Sequence, residues 1–264
     1  MATRLSYTLP IVRQFLLSVV RRSRPGGLAA SLPPPSTDRS FVIVTGYGRS
    51  GTSAVARVLH ESGVRMGNDF GPPDEHNPTG YYQDQAIYLA NQQILAGHES
   101  TWRWRTTVLA IASRLGPRLA ELAQADTDGW KAPVFSLTLE AWLPHLPARP
   151  KIVVCLRSPI AVAESLGRIS GQIDTTVYRL WARSYRRLLD VIRDYELEAH
   201  CVEYDELAQH PAEAVAALST FVGHPLDAQY VEPQLRHHVS AVPRRYATLY
   251  EEVRALGAGG SAGE

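Results

Sequence analysis

Phe41-Val-Ile-Val-Thr-Gly-Tyr-Gly-Arg-Ser-Gly-Thr-Ser53 is the stretch that decides how the chain folds. A β-branched apolar run enters a glycine-rich turn, and the turn opens a helical pattern. Glycines let backbone N–H groups close around an anion, the N-terminus of the following helix adds its dipole, and Thr52 and Ser53 add hydroxyl donors. The segment therefore reads as a phosphate cradle between a strand and a helix. Gly46 and Gly51 have the spacing of the nucleotide-binding pattern G-x-x-x-x-G-K-[ST], but Thr52 stands where that pattern has lysine. The cation sits instead inside the turn, as Arg49.

Outward from the turn, helical and strand-like patterns alternate. A first helix is predicted from about Thr52 to Ser62, stopped by Gly63, and a loop dense in Gly, Pro, Asn and Asp fills Gly67 to Gly80. A second helix is expected from about Tyr82 to Ala96, with Ile87, Leu89, Ile94 and Leu95 apolar and Gly97 as its stop, and a third near Thr107 to Gln124. Lys151 to Leu156 is unbroken in its apolar character, as a central parallel strand requires. Pro159 suits the first position of a helix reaching Ile169. A longer amphipathic helix follows from about Thr175 to Tyr195, turning Leu180, Trp181, Leu188, Leu189 and Ile192 inward. His200 to Tyr204 reads as a strand, and His210-Pro211 starts another helix. This order predicts an α/β chain: three layers, a parallel sheet flanked by helices.

The second informative segment is Val153-Val-Cys-Leu-Arg-Ser-Pro-Ile-Ala-Val-Ala-Glu-Ser165. Arg157 ends a buried strand, at the edge where open α/β sheets bind ligands, and Ser165 lies two turns into the next helix. A guanidinium grips phosphate bidentately, which lysine cannot do. With these residues in view, Gly-x-Gly-Arg-Ser-Gly-Thr-Ser at 46–53 resembles the 5′-phosphosulfate loop of sulfotransferases. The Arg157–Ser165 pair, about a hundred residues downstream, resembles their 3′-phosphate motif. Asn77-Pro-Thr-Gly-Tyr-Tyr82, Lys131-Ala-Pro-Val-Phe135, Tyr204-Asp-Glu-Leu207 with His210-Pro211, and Phe221-Val-Gly223 are similar to further landmarks of that family, in its order. The resemblance spans about residues 40 to 250, closest to bacterial sulfotransferases and more distant from the tyrosylprotein enzymes.

The resemblance implies a P-loop-type, sulfotransferase-like fold and the donor 3′-phosphoadenosine 5′-phosphosulfate (PAPS), with no metal. A sulfuryl group would pass by in-line displacement to a hydroxyl or amine of a small molecule, glycan or lipid. It implies that Gly48, Arg49, Ser50, Gly51, Thr52 and Ser53 hold the phosphosulfate, that Arg157 and Ser165 hold the 3′-phosphate, and that Tyr204 lies on the nucleotide side. Such chemistry needs cations where charge grows on the leaving oxygen, here Arg49 and Lys131, and a base for the acceptor proton. Candidates for the base are Glu75, His76, Asp69 and Asp84. Many bacterial relatives carry an acid after Asn-Pro-x-Gly-aromatic-aromatic; here that residue is Gln83, which cannot take a proton. Trp102, Trp104 and Trp130 are candidates for an acceptor pocket or for core, and Arg168, Arg244 and Arg245 for phosphate contacts or a solvated face.

Two other classes fit the turn alone: a nucleotide kinase or NTPase of the phosphate-loop type, and a catalytically silent nucleotide-binding relative. Thr52 in place of lysine, and Arg157 where a magnesium-holding aspartate is expected, argue against the first. Gln83 keeps the second open.

Bulk properties add bounds. With Lys+Arg 27 against Asp+Glu 26, no global field recommends nucleic acid as partner. Cys155 and Cys201 fall in apolar runs and read as buried free thiols, and with Pro78 blocking the Asn77-x-Thr79 acceptor they favour a reducing, cytoplasmic setting. His237-His238 lacks further ligands at metal-binding spacing.

Residues 1–24 carry Arg4, Arg13, Arg21, Arg22 and Arg24 around an apolar run shorter than the roughly 20 residues a membrane span needs. They read as a short basic amphipathic helix, with three roles open to it: a disordered or loosely docked extension, weak contact with a membrane surface, or an organellar presequence. A Pro/Gly linker to residue 39, one domain over 40–256 and a flexible Gly-rich tail over 257–264 complete the expected organisation.

Overall fold

The computed structural model describes residues 40–96, 104–232 and 241–257. The expected N-terminal helix and linker, Gly97, Trp102, His237-His238 and the tail beyond Gly257 lie outside the described residues, as does the side chain of Trp104.

Four strands form one parallel sheet: β1 (Phe41–Gly46), β2 (Gly129–Lys131), β3 (Pro150–Leu156) and β4 (Ala199–Glu203), in the order β2-β1-β3-β4. The central pair runs in register from Phe41 opposite Pro150 to Gly46 opposite Cys155. Because successive strand residues face opposite ways, β1 feeds two cores. Phe41 and Ile43 join Ile152, Val154 and Leu156 on one face, and Val42 and Val44 join Val153, Cys155 and Val202 on the other.

The first face is covered by α2 (Gln85–Ala96), α3 (Trp104–Ala123), α4 (Phe135–Trp142), α6 (Thr176–Asp194) and α9 (Arg244–Arg254). Against the second lie α1 (Thr52–Glu61), α7 (Tyr204–Gln209) and α8 (Pro211–Val222). Helix α5 (Pro159–Ser170) runs off the carboxyl end of β3 and contributes Val162 and Ala163 to the first face. The molecule is thus the expected three-layer α/β sandwich.

Several boundaries differ from the sequence reading, each for a local reason. Helix α2 starts at Gln85 because Asp84 accepts from the amides of Ala86 and Ile87, capping the helix, and from Asn68 and Asp69 across the loop. Tyr204 does not close β4 but begins α7. The strand β2 and helix α4 have no counterpart in the sequence reading: β2 is three residues long, and every residue of α4 is buried, so α4 carries no polar face to reveal its period. Trp130 is core, edge-on to Phe41 and Trp142.

Burying all of α4 encloses Glu140, whose side chain is fully shielded. Its carboxylate is ion-paired to the Arg187 guanidinium of α6 and accepts the Tyr195 hydroxyl at 2.9 Å. Removing one member strands a buried charge. Arg187→Met should lower unfolding free energy by about 3–5 kcal/mol in urea titrations, and adding Glu140→Gln should recover part of that loss. Equal stability of wild type and Arg187→Met would show that the pair contributes nothing.

Candidate active site

The turn that leaves β1 is built from conformations that need glycine at two points. Gly46 has φ 152°, and a Cβ there would stand 2.4 Å from the Cys155 carbonyl oxygen of β3. Gly51, the N-cap of α1, has φ 91°, and a Cβ there would meet the Tyr204 ring at 2.6 Å. Arg49 adopts φ 70° despite its side chain, a conformation held only where the surroundings insist on it. Gly51 offers no side-chain cap, so the first amides of α1 have no protein acceptor among the described residues. Open space lies over Gly48, where a Cβ would meet nothing within 4 Å.

Beneath the turn stands Tyr185 of α6. Its hydroxyl donates to the Cys155 carbonyl at 2.6 Å, accepts the Tyr47 amide at 3.2 Å and lies 3.2 Å from Ser50 Oγ. The Ser50 amide donates to the Tyr47 carbonyl at 3.1 Å. Both polar groups of Ser50 are thus engaged inside the protein, where they shape the turn.

Above the turn, cations converge. Arg157 is nearly shielded from solvent, stacks its guanidinium 4.0 Å from the centre of the Tyr204 ring, and donates from Nη1 to the Arg49 carbonyl at 3.2 Å. Trp181 Nε1 fixes the Arg157 carbonyl at 3.0 Å. Arg157 Nε is buried and lacks a partner among the described residues, a cost that an incoming acceptor would relieve. Arg49 donates from Nε to Ser165 Oγ at 3.1 Å and from Nη1 and Nη2 to the His76 carbonyl at 3.4 Å.

Burial pulls Arg49 and Arg157 below the usual guanidinium range, and the nearby charge of Arg168 adds to the effect on both. Burial is also what lifts the Tyr204 phenol, against the pull of the two arginines. Asp205, beside Tyr204, is raised by burial and drawn back by Arg157.

Lys131, from the end of β2, enters from the other side. Its ammonium is buried and donates to Ser53 Oγ at 3.1 Å and to the Tyr81 carbonyl at 2.9 Å. Ser53 and Ser165 each accept from a cation, which leaves each hydroxyl proton available to donate. Thr52, also buried, occupies the first position of α1.

The residues named as bases are placed differently from one another. His76 joins the cation cluster through its carbonyl, and its imidazole Nε2 lies 3.6 Å from Glu75 Oε1, an exposed carboxylate. Asp69 is exposed, with its carbonyl receiving the Gln85 amide at 2.8 Å, and no contact links it to the cations among the described residues. Asp84 is committed to capping α2. Arg244 and Arg245 are exposed, Arg245 lying over Tyr246. From sequence Trp181 is expected only as an inward residue of the long helix, and Tyr185 and Asp74 are not picked out; the helical spacing of Tyr185 from Trp181 is the one available signal. Among the described residues no three His, Cys, Asp or Glu gather to hold a metal, and no helix is long and apolar enough to cross a membrane.

A parallel sheet carries at its carboxyl edge, where open α/β sheets bind ligands, a glycine turn, a buried arginine, a half-buried arginine and a buried lysine. A model described as the sulfotransferase family matches residues 42–228, most of the chain, and the chain belongs to that family. It is similar to the sulfotransferase domain from the Synechococcus PCC 7002 olefin synthase, with 16% identity over 84% of this chain and 97% of that one and a TM-score of 0.49. It is also similar to the sulfotransferase STF1 from Mycobacterium tuberculosis H37Rv, with 16% identity over 78% and 73% of the respective chains and a TM-score of 0.43. No curated protein matches it in sequence.

Burial pushes the Lys131 ammonium down to about 7; the charge of Arg49 adds to this and Cys155 opposes it. The unfolded chain keeps that proton up to about pH 10.5, so above about pH 7 it binds a proton the native state lacks. The cost of burying the charge is therefore present in full below pH 7 and is relieved as pH rises. Relative to Lys131→Met, the wild-type chain should gain stability between pH 7 and 8.5, at most about 1.4 kcal/mol per pH unit. Parallel stability profiles for the two proteins in urea titrations would contradict this placement of the charge.

Proposed function

We propose that this sulfotransferase takes its sulfuryl group from PAPS and passes it to a hydroxyl or amine of a small molecule, glycan or lipid. The observation that carries the donor assignment is the pair Arg49 and Arg157: both substantially buried, joined through the Arg49 carbonyl, and hydrogen-bonded to no carboxylate among the described residues. Uncompensated buried cations are costly, and an anionic ligand that replaces lost solvation relieves the cost. PAPS supplies, when bound, a sulfuryl group already activated as an anhydride with phosphate.

The turn from Gly48 to Ser53 would hold the phosphosulfate with its amides and the Thr52 and Ser53 hydroxyls. Arg157 would bind the 3′-phosphate through its free Nε edge, with the Ser165 hydroxyl as second donor and Tyr204 supporting the guanidinium from below. Lys131 and Arg49 would stabilise the charge left on the nucleotide as the sulfuryl group departs. The proton of the acceptor falls to the Glu75–His76 pair, because that pair alone among the named bases is tied to the cluster, through Arg49. In this reading residues 40–256 form the transferase unit, working in the cytoplasm, with the basic segment over 1–24 making at most weak contact with a membrane surface.

Thermal unfolding with 3′-phosphoadenosine 5′-phosphate decides the donor. Ligand at a hundred times its Kd adds about 2.7 kcal/mol, so the midpoint should rise by roughly 5–10 °C without magnesium. ATP should shift it little, and Arg157→Ala should abolish the shift while keeping the far-ultraviolet circular dichroism of the wild type. Stabilisation by ATP with magnesium, and none by the bisphosphate, would overturn the assignment in favour of a kinase or NTPase.

A further inference from the structure

Lys131 and Arg49 come from opposite sides of the site, one from β2 and one from the turn after β1, and no direct bond joins them. What joins them is the segment 74–82. The Lys131 ammonium donates to the Tyr81 carbonyl at 2.9 Å and lies 5.8 Å from the centre of the Tyr81 ring. The Arg49 guanidinium donates to the His76 carbonyl. One carboxylate holds both of these carbonyls in place. Asp74 Oδ1 accepts the His76 and Asn77 amides, each at 2.9 Å, and the Tyr81 hydroxyl reaches Oδ1 at 3.0 Å and Oδ2 at 2.9 Å.

The rest of the segment closes the loop between those points. Asn77 Nδ2 donates to the Gly80 carbonyl at 2.6 Å, and the Gly80 amide returns to the Asn77 carbonyl at 3.0 Å. Tyr82 then turns the chain with φ 48°, a left-handed conformation that a tyrosine holds only under constraint. The constraint is visible: its hydroxyl donates to Glu61 at 2.7 Å, and its ring packs among His60 and Phe70. This turn aims the preceding carbonyl, that of Tyr81, at Lys131.

We propose that Asp74 is a positioning residue for transfer: by gathering the His76 amide and the Tyr81 hydroxyl on one carboxylate, it fixes the spacing between Arg49 and Lys131 and keeps water from the ammonium. The proposal rests on the reading of both cations given above. Asp74 hydrogen-bonds to neither Arg157 nor Ser165, so loosening the strap acts first on the reacting end and reaches the 3′-phosphate end only indirectly, through Arg49. The electrostatics agree, since the charge of Asp74 is close enough to raise Arg49 against the effect of its burial.

Two variants test it on the full chain. Tyr81→Phe keeps the ring and the backbone carbonyl and removes the hydroxyl that reaches Asp74; Asp74→Ala removes the gathering point. The first measurement needs no ligand. Lys131 faces Ser53 of α1, Tyr81 of the strap, Cys155 of β3 and Arg49 of the turn, so its titration reports whether the strap is closed. The stability gained between pH 7 and 8.5, relative to Lys131→Met, should be mostly lost in both variants and kept in the exposed loop control Thr79→Ala. A general loss of stability would lower the whole profile without changing its slope.

The second measurement uses PAPS, with water as acceptor. A bond forms from water oxygen to sulfur, the bridging O–S bond breaks with its electron pair going to the 5′-phosphate oxygen, and sulfate, 3′-phosphoadenosine 5′-phosphate and the two protons of the water leave. Both variants should bind the bisphosphate within about threefold of wild type but release sulfate about 10–100-fold more slowly. An unchanged pH slope in both variants overturns the proposal. A wild-type chain that does not bind the bisphosphate sinks the donor reading instead, and the ligand-free slope still decides the strap.

Discussion

The guanidinium of Arg157 sits where four parts of the chain meet. It ends β3, supports the turn after β1 through the Arg49 carbonyl, lies on the ring that opens α7, and has its own carbonyl fixed by Trp181 of α6. Each neighbour is placed by something Arg157 itself depends on. Trp181 and Tyr185 follow one another round a single buried face of α6, so the helix that anchors Arg157 also carries the hydroxyl beneath the turn. Gly51 must lack a Cβ because the Tyr204 ring occupies that space, and the ring is there because the guanidinium lies on it. A glycine, an aromatic ring and an arginine far apart in sequence thus act as one steric unit.

Such a centre works against the stability of the protein that contains it. Three cations lie largely out of water, and burial lowers the proton affinity of each. Neutral groups support them: carbonyls of Arg49, His76 and Tyr81, hydroxyls of Ser53 and Ser165, and an aromatic face. Carboxylates would stabilise the cations better, but a salt bridge would also compete with any anion that enters. The Glu140–Arg187 pair shows that the same fold uses full charge neutralisation where no ligand has to be admitted.

The sequence and the structure agree most closely where local chemistry has one reading. The strand-turn-helix over 41–61, the strand ending at Arg157 and the helix starting at Pro159 all follow from glycine, proline and unbroken apolar runs. Helix α4 was hidden because Phe135 to Trp142 is buried on every side, and β2 because three residues cannot show a period. Helix α9 did have a readable signal: Tyr246, Leu249, Tyr250 and Val253 fall at the spacing of a helix face, among charged residues that obscured it. Within the site, glycines and cations could be named from their order in the chain, while Asp74 could not. Its partners are amides two and three residues on and a phenol seven residues on, a pattern that depends on the loop's path rather than on any residue type. Asp84, one acid among several in the sequence, is singled out as a helix cap only once the amides around it are placed.

Ser53 and Ser165 each receive a hydrogen bond from a cation. That fixes the polarity of the two hydroxyls: each accepts from a cation and has its own proton left to offer. A lining of this kind discriminates by what it leaves unsatisfied. A ligand carrying a hydroxyl in place of a phosphate would bring its own proton to a surface already full of donors, and buried donors would go unmatched. If the proposed donor binds here, selectivity for fully ionised esters over their dephosphorylated counterparts would be a property of hydrogen-bond direction, set by two serines before any ligand arrives.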